Sequence, residues 1–121
     1  MTSCSSTGSV VPFTATPIGV AEASAYHGRA GVEFVDPRPA EAISATTGKI
    51  PGAMLISIDD VEAGNLPAAF ADRSIRIVAT CQAGPMASRA AAAFVQLGFA
   101  RVNWIEGGTQ AWADAGFPVV R

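Results

Sequence analysis

Apolar residues in this chain fall into short blocks of two kinds, and the two kinds alternate. Residues 32–35 (Val-Glu-Phe-Val) and 75–80 (Ile-Arg-Ile-Val-Ala-Thr) are compact and rich in β-branched side chains. Runs of this length and composition predict strands. Residues 53–56 and 101–105 are weaker examples of the same type. Between them lie alanine-rich stretches with helical spacing at 20–27, 40–46, 86–97 and 109–114. Gly28, Gly48, Gly98 and Gly116 follow their ends, where a helix-terminating residue is expected. Pro39 suits the first turn of the second helix. Asp59 and Asp60 predict the cap of a helical turn through Ala63, and residues 66–71 predict another short helical segment. Strands alternating with helices predict an α/β domain with a central, mostly parallel sheet flanked by helices on both faces, a three-layer arrangement. Working groups in such sheets sit at the carboxyl ends of strands. Asp36 and Cys81 both occupy that position.

Composition narrows the picture. The chain has 121 residues, 50% of them hydrophobic and 15% charged. That is enough for one packed domain without metal or disulfide support. We place a flexible segment at 1–16 and the domain at 17–121. The net charge is −2 and the eight basic residues are scattered, which argues against a nucleic-acid surface. No apolar run approaches membrane-spanning length. The Ser/Thr-rich start lacks the basic and apolar regions of a signal peptide, so a cytoplasmic location is the expectation.

Two cysteines are present. Cys4 lies in the segment expected to be flexible, so the pair is not a disulfide framework. There is no Cys-x-x-Cys, and His27 is the only histidine. A metal site is therefore not expected. His27 itself reads as an exposed helix-end residue, and Trp104 and Trp112 read as packing aromatics.

Cys81 stands apart. It ends the best strand of the chain, and Gln82-Ala83-Gly84-Pro85 interrupts the chain before the alanine-rich helix. Unpaired amides at a helix start carry partial positive charge. They favour the thiolate, which is the nucleophilic form of cysteine, and they hold anions well.

Several motifs, taken in order, resemble the rhodanese-like family of sulfurtransferases. They are Asp36-Pro37-Arg38, then Gly48-Lys49-Ile50-Pro51-Gly52-Ala53, then Cys81-Gln82-Ala83-Gly84, then Gly98-Phe99. Trp104-Ile105-Glu106-Gly107-Gly108, Trp112 and Gly116-Phe117-Pro118 complete the set. The resemblance spans roughly residues 17–121. It implies a rhodanese-like fold and covalent catalysis without a cofactor. The Cys81 thiolate would take a sulfane sulfur from a donor such as thiosulfate or a persulfide carrier. It would then pass that sulfur to cyanide, a thiol or a sulfur-accepting protein. Residues 82–87 (Gln82, Ala83, Gly84, Pro85, Met86, Ala87) would form the substrate-binding loop, with Arg38 a further pocket-lining candidate. Arg38 and Asp36 also read as a structural pair anchoring a turn, which is the reading we favour for them.

The chain departs from the family pattern, which often reads Cys-x-x-Gly-x-Arg-Ser. Met86 replaces the arginine, Ala87 replaces the hydroxyl residue, and Pro85 removes one amide from the loop. The expectation is a sulfurtransferase less suited to small inorganic donors. Arg89 is a substitute cation, unless it is exposed or paired with a carboxylate. Lys49 stands where the family has histidine. A rhodanese-like module that binds partners without transferring sulfur is the alternative. A cysteine phosphatase is disfavoured because it would need arginine at position 87. A disulfide-exchange role lacks a resolving cysteine near Cys81.

Overall fold

The computed structural model describes residues 14–121. Cys4 and most of the segment expected to be flexible lie outside them. The elements run β1 (Thr16–Ile18), α1 (Val20–Tyr26), β2 (Val32–Asp36), α2 (Ala40–Ala45), β3 (Met54–Leu55) and α3 (Ile58–Ala63). A 3₁₀ turn (Ala68–Ala71) follows, then β4 (Arg76–Ala79), α4 (Pro85–Gln96), β5 (Arg101–Ile105) and α5 (Gly108–Asp114). The five strands form one sheet in the order β1-β5-β4-β2-β3. Every pairing is parallel.

Side chains of β4 and β2 alternate between two cores, as strand geometry requires. Val35, Ile77 and Ala79 face one core with Val61 of α3 and Ala87, Ala90, Ala91 and Phe94 of α4. Phe34 and Val78 face the other, with Ala23 of α1 and Trp112 of α5. Central strands covered on both faces explain why residues 77–79 (Ile-Val-Ala) are apolar without alternation. In α4 the buried positions 87, 90, 91 and 94 follow the i, i+3, i+4, i+7 spacing of one helix face. Three of the four are alanine, the best helix former, and their small side chains let the helix lie close to β4. Phe94 then closes an aromatic cluster with Phe70 and Phe99, with ring centroids 5.4–6.3 Å apart.

The structure revises four points of the sequence reading. Thr16–Ile18 is an edge strand, paired with β5 in the register Ile18↔Ile105. Pro17 is tolerated there because an edge strand need not offer every N–H. The α3 cap is Ser57, whose Oγ accepts from the Asp60 amide at 3.1 Å. Asp59 and Asp60 are in the first helical turn instead, where a carboxylate suits the helix dipole. Only 68–71 of the 66–71 segment is helical, as a 3₁₀ turn. His27 is half-buried, not exposed. Its Nε2–H donates to Pro51 O at 2.7 Å, and its ring packs edge-on against Phe34 and Trp112.

Candidate active site

Cys81 lies just past the carboxyl end of the central strand β4. The Thr80 amide still bonds Val35 O at 2.9 Å, and the chain then leaves the sheet. The thiol is 3% exposed and belongs to the α4-side core. Three residues later the chain must reverse to start α4. Gly84 does this at φ +125°, a conformation side-chain-bearing residues resist. Its N–H then donates to Cys81 Sγ at 3.0 Å. Pro85 opens α4 at N1, where its missing N–H costs nothing to the helix.

A second element locks this loop. The Thr109 amide donates to Cys81 O at 2.7 Å and the Gln110 amide to Gln82 O at 3.0 Å. These are orphan donors of the α5 N-terminus, satisfied by the loop. In a trans peptide the N–H points opposite to its C=O. Turning these two carbonyls toward α5 therefore turns the amides of Gln82 and Ala83 away from it. Among the described residues no backbone acceptor takes either amide. The approach is so close that a Cβ on Gly108 would lie 2.6 Å from both carbonyl oxygens. Beneath the loop, the buried Thr80 and Thr109 hydroxyls share a 2.8 Å hydrogen bond. Gly107-Gly108-Thr109 thus acts as the brace of the Cys81 loop. The sequence reading placed Gly107 and Gly108 in a family motif and Thr109 at a helix start, without a contact to the Cys81 loop.

The cations offered by the sequence are engaged elsewhere. Arg38 is 6% exposed and Asp36 fully buried. Arg38 Nε and Nη2 donate to the two Asp36 oxygens at 2.9 and 2.7 Å. Nη2 also reaches Gly48 O at 3.1 Å, and Nη1 reaches Thr47 Oγ1 at 3.0 Å. The guanidinium thereby ties the end of β2, through Asp36, to the turn after α2, through Thr47 and Gly48. Arg89 forms a bidentate, solvent-exposed pair with Glu62 at 2.6 and 2.7 Å. Its hydrogen bond holds the Glu62 carboxyl below the ordinary range, and Glu62 raises the guanidinium in turn. Lys49 Nζ donates to Ala53 O at 2.9 Å. Met86 is half-buried against the α4-side core, and Ala87 is fully buried in it. Gln82, Ala83 and Pro85 are exposed on the loop.

Beside the loop is an open depression of about 390 Å³, lined by Ala83, Gly84, Pro85, Ser88, Trp104, Glu106 and Gly107. Among the described residues, no group of three His, Cys, Asp or Glu side chains is placed to hold a metal. No helix among them is long and apolar enough to cross a membrane.

The chain and its fold are similar to those of known proteins. The model of the rhodanese-like domain matches residues 20–115. A protein of unknown function from Rhodopseudomonas palustris, described as a possible tyrosine phosphatase, is 31% identical with a TM-score of 0.78. The match covers 88% of this chain and 85% of that one. A rhodanese-related protein from Thermoplasma volcanium is 27% identical with a TM-score of 0.68, over 87% and 97% of the two chains. A rhodanese-like domain protein from Staphylococcus aureus is 27% identical with a TM-score of 0.66, over 88% and 99%. No curated protein matches the chain.

Proposed function

The chain belongs to the rhodanese-like family, and from that premise we propose that it is a sulfurtransferase whose sulfur rides on Cys81. The Cys81 thiolate attacks the sulfane sulfur of a donor. With thiosulfate, the donor S–S bond breaks and sulfite leaves with the electron pair. Cys81–S–S⁻ remains. An acceptor such as cyanide or a thiolate then takes the outer sulfur, and the Cys81 thiolate returns. One difficult transfer is divided into two easier ones. The observation that carries this reading is the Gly84 N–H aimed at Sγ from 3.0 Å, in a loop whose carbonyls are tied back to α5. Amides fixed before the reaction stabilise developing negative charge without reorganising.

Donor choice follows from Met86 and Ala87. A loop arginine would give a dianionic donor a charge-assisted contact, worth about 1.5–3 kcal/mol. Without it thiosulfate binds roughly tenfold or more weaker. A hydropersulfide, whose reacting sulfur end carries at most one negative charge, is the better donor. Phosphate ester hydrolysis, the activity suggested for the R. palustris relative, would need a cation at position 87. Ala87 is buried in the core and supplies none.

The test is thiocyanate release from thiosulfate, or from glutathione hydropersulfide, with cyanide as acceptor. The wild type turns over, fastest with the hydropersulfide, and Cys81→Ala does not. Turnover retained in Cys81→Ala overturns the reading, as does Cys81-dependent hydrolysis of p-nitrophenyl phosphate in place of sulfur transfer. Absence of transfer with both donors favours a binding module.

A further inference from the structure

The depression beside the loop combines two unlike features. The Trp104 ring, Ala83 and Pro85 give it apolar walls, and Glu106 is its one charged residue. It adjoins the thiol loop directly. A Cβ on Gly84, the residue that donates to Sγ, would meet Trp104 Cζ3 at 3.5 Å and Gly107 N at 3.7 Å. The backbone fixes Glu106 at this rim, because its amide bonds Ile18 O of the neighbouring strand at 2.9 Å. Among the described residues no ion pair takes the Glu106 carboxylate. Arg38 and Arg89, the two arginines the sequence offers to the thiol, are each paired with another carboxylate. The open side of the reactive loop therefore presents one unpaired negative charge and no lining cation.

We propose that Glu106 and Trp104 form the subsite that selects the sulfur acceptor, and that this acceptor is a small cationic thiol. Its ammonium group faces Glu106 and its methylenes lie along Trp104, with the thiol directed at the loop. The assignment of an acceptor rests on the sulfurtransferase reading; the charge selection at Cys81 does not. In the transfer step the acceptor thiolate attacks the outer sulfur of Cys81–S–S⁻. A new S–S bond forms on the acceptor, the Cys81–sulfur bond breaks, and the electron pair returns to Cys81. No oxidant or reductant is consumed. A carboxylate lining the depression beside the thiol loop favours a cation over an anion by roughly threefold to tenfold. Salt reduces that preference because the site is open to solvent.

Two measurements test this on the full chain. The first follows modification of Cys81, by mass of its peptide, with two methanethiosulfonates that carry a trimethylammonioethyl or a sulfonatoethyl group. Relative to free cysteine, the wild type prefers the cationic reagent. Glu106→Gln reduces the rate ratio roughly threefold, Glu106→Lys inverts it, and high salt flattens it in the wild type. A ratio that neither substitution moves overturns the proposal. The second compares 2-aminoethanethiol with 2-sulfanylethanesulfonate as acceptors from the persulfidated protein. Faster transfer to the aminothiol, with the advantage reduced in Glu106→Gln and Trp104→Ala, supports the acceptor assignment. Equal transfer to both overturns it. If the reagents show charge selection while Cys81 accepts sulfur from no donor, charge selection by Glu106 is upheld and the sulfurtransferase reading falls, taking the acceptor assignment with it.

Discussion

Arg38 and Arg89 make the same chemical bond in opposite settings. Each grips a carboxylate with two nitrogens, Arg38 with both atoms nearly sealed from solvent and Arg89 with 58% of its side chain exposed. A buried pair is expensive to break, because removing one partner strands a charge in the interior. An exposed pair is screened by water and salt. The comparison shows where this chain invests fixed charge: at the turn after β2 and on the outer face of α4. At Cys81 the structural roles of charge pass to the backbone, through Gly84, Thr109 and Gln110.

Four experiments break or sharpen that comparison. The largest effect belongs to Arg38→Met, which leaves Asp36 buried and uncompensated and should cost about 3–5 kcal/mol. Denaturant unfolding checks this, and a loss under 1 kcal/mol would mean that water reaches the pair. Next is Gly108→Ala, which attacks the backbone brace. Its Cβ would meet two carbonyl oxygens at 2.6 Å, and its φ of +63° is unfavourable for alanine. The strain is about 1–3 kcal/mol. Transfer should fall roughly a hundredfold, because the thiol loop is displaced; parallel melts and rates separate the two. Met86→Arg should then lower the thiosulfate KM by roughly tenfold, and an unchanged KM would show that this position does not set donor choice.

The smallest effect is Glu62→Gln. Arg89 depresses the Glu62 pKa, so the pair contributes stability above the ordinary carboxylate range and loses it as pH falls through the depressed value. The variant should melt slightly below wild type at neutral pH and low salt, and with it in strong acid or high salt. A large shift at neutral pH and high salt would contradict the contrast with Arg38.

The fold was readable where short-range pattern decides it. Residues 77–79 are uninterruptedly apolar because both faces of their strand are covered, and the alanine spacing of 87–94 follows from one buried helix face. The motif order placed Cys81 on its loop. What escaped depends on partners distant in sequence. Thr16–Ile18 is a strand because β5 offers it an edge, and three residues containing a proline carry no strand signal alone. His27 is half-buried because Phe34, Trp112 and Pro51 O converge on it. The contact of Gly108 with the 81–82 peptides is invisible locally; two adjacent glycines before Thr109 were the available hint, and they also suit a simple helix start. Arg89 and Glu62 lie on different helices, so neither sequence position names the other.

The most direct measurement is the intact mass of the protein after incubation with thiosulfate or a small-molecule hydropersulfide, then with cyanide, for the wild type beside Cys81→Ala. The account predicts a gain of one sulfur atom in the wild type alone, greater with the hydropersulfide and lost on adding cyanide. A wild type that gains no sulfur from either donor, or a Cys81→Ala variant that gains it equally, would contradict it.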